Sequence, residues 1–176
     1  MSDIFLPGNG FDTYESPDKV LMWMDGTQRS GVAVRILQQQ GFAVAGAAVR
    51  LSAQQESESL DAKQAAEALG IECIILNAEA LAEQPDEALG CGNTPLFAAL
   101  LTAADKLGIQ YIATAHFARI ELDSDGVNHV CPAADSACSE SSLLTALPQQ
   151  TLARLILPLG EFSTEDVQEM AQDFKL

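Results

Sequence analysis

Three segments of this 176-residue sequence hold residue types that could do chemistry. The first is Met24-Asp25-Gly26-Thr27-Gln28-Arg29-Ser30, a small polar loop between an apolar run and a helical pattern. Where such a loop opens a helix, free N–H groups and the helix dipole point at it, and an anion can bind. The same residues also make an ordinary strand-to-helix turn with an N-cap. No Gly-Lys-Ser/Thr follows, so the loop is not a Walker A element. The second segment is Tyr111 to Ile120, in which Ala115 and His116 follow a strand-like run. A histidine there can meet a ligand at the sheet edge, or simply be satisfied by a backbone carbonyl. The third is Cys91, beside Gly92 and Asn93 and just ahead of a helical pattern that begins at Pro95. A thiol near a helix N-terminus can have a lowered pKa and act as a nucleophile, although a purely structural cysteine fits the same place. Cys73 reads as core, and Cys131 and Cys138 lie in a polar stretch. No Cys-x-x-Cys pair occurs, so no metal site is predicted.

The elements that must position these segments follow from apolar runs and stop signals. Lys19–Met24 (KVLMWM), Phe42–Val49 (FAVAGAAV), Glu72–Leu76 (ECIIL) and Tyr111–Thr114 (YIAT) read as buried strands. Between them, Ser30–Gln40, Asp61–Leu69 and Pro95–Leu107 have helical character, and Gly41, Gly70 and Gly108 follow as stops. Residues 51–60 read as a polar loop, and 77–92 as a weak helix followed by a loop. The β-α-β-α-β-α-β alternation argues a mostly parallel sheet covered by helices. Ligands bind such sheets at the carboxyl ends of the strands, so the loops after Met24, Val49 and Thr114 are the places to search. Beyond them, Asp123–Gly126 (DSDG) is a turn of hairpin type. Residues 151–157 and 165–174 look helical, and Ser163 with Asp166 resembles a capping box. Residues 1–18 form an irregular lead-in, and 19–176 form one domain.

Composition limits the partners. There are 25 Asp+Glu against 9 Lys+Arg, a net charge of −16. Nucleic-acid affinity rests on bases that neutralise phosphates, so this balance disfavours a grip on nucleic acid. No stretch approaches the ~18–20 apolar residues that span a bilayer, and the N-terminus lacks the basic and apolar regions of a signal peptide. A cytoplasmic location without a membrane partner is expected.

Four segments, in order, carry a family resemblance. YIATAHFARIE (111–121) is similar to Y-I-A-T-G-H-Y-A-R-I-E. LARLILPLGEFSTEDVQEMA (152–171) resembles a segment ending in F-P-L-G-E, a turn and a helix. KVLMWMDGTQRSGVAVRILQQQGFAVAG (19–46) stands in the place of K-V-x-V-x-M-S-G-G-V-D-S-S-V-A-A-x-L-L-x-x-x-G-Y-x-V-x-G, and CGNTPLFAALL (91–101) in that of C-N-x-E-I-K-F-G-A-L-L. Together they resemble the tRNA-specific 2-thiouridylases of the PP-loop ATP-pyrophosphatase superfamily. The resemblance implies a Rossmann-like, adenine nucleotide alpha hydrolase-like three-layer sandwich that binds ATP, with Mg²⁺ at the phosphates. It implies adenylation of the wobble uridine of tRNA, then sulfur transfer from a cysteine persulfide supplied by a sulfur-donor protein. By position it gives Met24, Asp25, Gly26, Thr27, Gln28, Arg29 and Ser30 to the phosphates, Val49 to the adenine, Ala115 and His116 to the nucleotide site, and Cys91 to the reactive thiol.

The departures from that pattern are specific. One phosphate-loop glycine is missing, Asp25 stands where a serine usually does, and Arg29 replaces an aspartate, inverting its charge. The K-D-Q-S element appears as Cys138-Ser139-Glu140-Ser141, without its lysine, and the second reactive cysteine would fall beyond Leu176. Two expectations follow. One is a truncated or degenerate 2-thiouridylase with weak ATP binding; the other is an inactive nucleotide-binding or protein-interaction module of the same descent.

Overall fold

The computed structural model describes residues 18–83 and 94–176. Its first strand, β1 (Lys19–Trp23), shows why KVLMW is apolar almost throughout. Successive side chains of a strand point to opposite faces. Val20 and Met22 enter one apolar cluster and Leu21 enters another. All three are 0% exposed, so the strand is buried on both faces, as the parallel-sheet expectation requires.

The chain continues through α1 (Gln28–Gln39), β2 (Ala43–Arg50), α2 (Glu56–Ala68), β3 (Cys73–Asn77), a short α3 (Glu79–Ala82), α4 (Pro95–Leu107) and β4 (Tyr111–Ala113). A hairpin of β5 (Ala118–Leu122) and β6 (Asn128–Pro132) follows, then α5 (Gln149–Leu152), β7 (Leu155–Ile156) and α6 (Thr164–Asp173). The spatial order of the main sheet is β3-β2-β1-β4-β7, and every pair is parallel. Val32 of α1, Ala66 of α2 and Val167 of α6 pack on one face, while Leu100 and Ala104 of α4 pack on the other. The architecture is therefore the α/β three-layer sandwich. β2 lies on one side of β1 and β4 on the other, with Met22 level with Ala113. Connections leave β1 and β4 in opposite directions, which opens a crevice beyond their carboxyl ends.

Two sequence expectations are corrected. Residues 51–60 are not a loop: a 3₁₀ turn at Ala53–Gln55 leads into α2, which starts at Glu56. The part of that helix read as loop, residues 56–60, buries only Ser59 and so gives no helical signal, while Glu56 and Glu58 suit the positive end of its dipole. Residues 151–157 are not one helix either. Leu155 and Ile156 pair with Ile112 and Ala113 as the fifth strand. Arg154 fixes that strand's start by donating to the carbonyls of Ile109 and Gln110. The hairpin turn at 123–126 and the Ser163/Asp166 capping box stand as read from sequence.

Candidate functional site

The loop after β1 is a self-satisfied turn. Gly26 has φ +81°, a conformation that favours glycine. Thr27, at the position of the missing glycine, needs no such freedom: it is extended, with φ −88° and ψ 160°, and caps α1 by accepting from Ser30 N–H. Asp25 turns back on the loop. Its Oδ1 accepts from Thr27 N–H at 3.0 Å and from Thr27 Oγ1–H at 2.6 Å. Gln28 Nε2 donates to the carbonyl of Leu176, and the buried Ser30 hydroxyl donates to Thr27 O. Met24, Asp25, Gly26, Thr27 and Val49 line one cavity of about 290 Å³, with Trp23 at its side and Glu58 and Asp61 from α2 across it. A larger cleft of about 470 Å³ is lined by Lys19, Ala43, Gly70 and Ile109, at the amino ends of the strands and away from these loops.

The segment after β4 arrives at the same edge. Ala115 is buried, and the His116 ring lies 6.0 Å from Trp23 and 6.3 Å from Phe97, at interplanar angles of 29° and 24°. Phe97 belongs to the first turn of α4, so that helix also begins at the carboxyl edge. A 2.7 Å hydrogen bond joins His116 Nδ1 to the buried hydroxyl of Thr114. Burial holds the imidazole pKa below its ordinary value; Glu140 and Asp25 pull it up and Arg29 pushes it down. At neutral pH the ring therefore offers a flat stacking face rather than a positive charge.

This burial predicts a pH effect. Below about 6.5 the unfolded chain protonates its imidazole before the folded one does. Stability is thus fully present above that pH and falls as pH drops through it, until the folded imidazole also protonates. Urea midpoints at pH 7.5 and 5.5 should fall further for the wild type than for His116→Gln. Equal falls would remove the histidine as the cause.

Arg29 connects the two segments. Its guanidinium carbon lies 5.0 Å from the Phe117 ring centroid, and Nη1 is 3.2 Å from Glu140 Oε1. The same carboxylate oxygen accepts from Phe117 N–H at 2.9 Å, and Glu140 N–H donates to Phe117 O at 2.7 Å. Asp25–Ser30 and Ala115–His116 thus lie at one sheet edge. Cys91 lies outside the described residues. Among those residues, no group of three or more His, Cys, Asp or Glu side chains is arranged to hold a metal, and no helix is long and apolar enough to cross a membrane. Sequence reasoning missed Trp23, Phe117, Glu140, Glu58 and Asp61. Only Glu140 left a signal: an acid two positions after the lost lysine, opposite in sign to the basic residue gained at Arg29.

Known proteins resemble this chain along most of its length. A family profile described as the tRNA methyl transferase HUP domain matches residues 18–176. The tRNA-specific 2-thiouridylase MnmA of Carboxydothermus hydrogenoformans is 30% identical over 187 residues, covering 90% of this chain and 51% of the relative. The protein of the same name from Trichlorobacter lovleyi is 31% identical, over 90% of this chain and 50% of its own length. The chain therefore spans about half the length of the curated relatives it matches. A solved structure described as a predicted subunit of tRNA methyltransferase from Methanocaldococcus jannaschii is 16% identical with a TM-score of 0.47, covering 88% of this chain and 74% of that one.

Proposed function

The chain belongs to the tRNA methyl transferase HUP domain family, and from that premise we propose that it is a tRNA-specific 2-thiouridylase-like domain with an altered adenine-nucleotide site. The supporting observation is the convergence of residues 25–30 and 115–116 at the switch point between β1 and β4. Open parallel sheets bind nucleotides at such a point. The residues present fit the nucleoside half of ATP: a cavity with Val49 at its rim and the flat faces of Trp23 and His116 beside it. They do not fit the triphosphate half. Asp25, Glu58 and Asp61 line the cavity, and Arg29 already holds a carboxylate. Arg29 also supplies no oxygen ligand for Mg²⁺. In this reading tRNA is the substrate and Cys91 carries the sulfur. With a net charge of −16, residues 1–176 themselves offer little positive surface for tRNA.

The Arg29–Glu140 pair favours a second reading, an inactive module of the same descent that works through protein contacts. Calorimetry with ATP, with and without Mg²⁺, separates the readings. Weak binding that Mg²⁺ hardly changes is expected. Tight Mg²⁺-dependent binding would contradict the altered site, and no binding of ATP or adenosine even at millimolar concentration would leave only the second reading. In the same samples, limiting iodoacetamide at neutral pH should label Cys91 ahead of Cys131 and Cys138. Desolvation and then the Glu121 carboxylate push the Cys131 thiol up, which slows it. Equal labelling of the three would remove the sulfur-carrying role.

A further inference from the structure

We infer that Asp25 and Glu140 are specificity-determining residues: two internal carboxylates that occupy the phosphate-facing donors of the site, so that it takes a nucleoside in preference to a polyphosphate. The inference rests on the nucleotide reading above and concerns the selectivity of that same site.

A phosphate at the start of α1 would be recognised by loop N–H groups, by hydroxyls and by a nearby cation. Each kind of donor is present, and the chain's own carboxylates have taken one of each: a loop N–H, a hydroxyl and the nearby cation. Asp25 Oδ1 accepts both the N–H and the hydroxyl of Thr27, the residue that caps α1. Glu140 Oε1 accepts from Arg29, whose guanidinium is held over the Phe117 ring.

Neither carboxylate is free to swing away at no cost. Glu140 is bonded to Phe117 in both directions, through its own N–H and through its side chain. Arg29 and Glu140 are 34% and 27% exposed, so their attraction is only partly screened. His116, uncharged at neutral pH, brings no compensating cation. An incoming polyphosphate must therefore displace two seated carboxylates and approach both as a like charge. A nucleoside meets neither obstacle. It needs only the cavity beside Val49 and the faces of Trp23 and His116.

Charge removal that preserves shape tests this. Glu140→Gln keeps an oxygen for Phe117 N–H, and Asp25→Ser keeps an oxygen for Thr27 N–H, so both variants should fold; thermal unfolding confirms it. Inorganic pyrophosphate and, separately, adenosine are titrated by calorimetry. Trp23, the chain's one tryptophan, gives a fluorescence readout at the site. Each single variant should bind pyrophosphate at least about tenfold tighter than wild type, the worth of one freed charge-assisted donor set. Adenosine affinity should stay within about threefold in Glu140→Gln, since Glu140 does not line the cavity. Arg29→Gln added to Glu140→Gln should abolish that variant's gain.

Unchanged pyrophosphate affinity in both single variants would overturn the inference. So would a gain that persists without Arg29, because the effect would then be general charge removal. The adenosine titration reports on the underlying reading independently. Adenosine binding with no pyrophosphate gain sinks the selectivity argument alone, whereas failure of both probes in every variant sinks the nucleotide site as well.

Discussion

Gly160→Ala should destabilise the domain by about 3 kcal/mol or more, the upper end for forcing extra volume into a packed interior. The added methyl would clash with the carbonyl oxygen of Ala118 and stand 2.9 Å from its carbonyl carbon and 2.7 Å from Arg119 Cγ. The arginine stem can move, but the carbonyl cannot easily do so. Ala118 opens β5 and is paired with Pro132 of β6. Gly160 is pinned as well, since its carbonyl accepts from Ala134 N–H at 2.8 Å. Relief must shift one backbone segment or the other. Phe117 adjoins Ala118 and donates its N–H to Glu140, so the strain should reach the Arg29–Glu140 pair. In a domain of this size about 3 kcal/mol lowers the unfolding midpoint by roughly 6–12 °C. Calorimetric unfolding measures it, and a midpoint within about 2 °C of wild type would mean that a small hinge relieves the contact.

Leu21→Ala should cost about 2–5 kcal/mol, the range for deleting a buried leucine side chain down to its Cβ. Leu21 is 0% exposed in the central strand and shares one apolar cluster with Ala47, Phe97, Leu100, Ile112 and Leu155. These neighbours come from β2, α4, β4 and β7, elements that cannot all collapse into one void, so the upper half of the range is expected. The spectroscopic consequence should reach the site. β1 carries Trp23 two residues on, and Phe97 also lies against His116. Urea unfolding followed by Trp23 fluorescence should show a lower midpoint with the slope unchanged. A loss under about 1 kcal/mol would mean that the α4 side of the sheet repacks freely.

Much of this was written in the sequence. β1 reads as a strand because both of its faces are buried, and α4 is bounded by Thr94 and Gly108, residues with cap chemistry at the right places. The alternation of apolar runs and helical patterns carries the parallel sheet, and the sheet carries the edge where Asp25–Ser30 meets Ala115–His116. Local chemistry suffices for such features because each is specified by residues a few positions apart.

Other features depend on partners distant in sequence. Leu155 and Ile156 lie in a segment that reads as helical, and become a strand only because β4 offers an edge some 43 residues earlier in the pairing of Ile112 with Leu155. α2 reads as helix from Asp61 onward, but its start at Glu56–Leu60 is polar and gives no such signal until the fold sets it beside β2 and β3. The Arg29–Glu140 pair spans 111 positions, and neither residue alone announces the other. From sequence, Arg29 reads as a cation free to meet phosphate. Only the fold brings a carboxylate to it, because electrostatic pairing is decided by distance in space, which the chain's order does not encode.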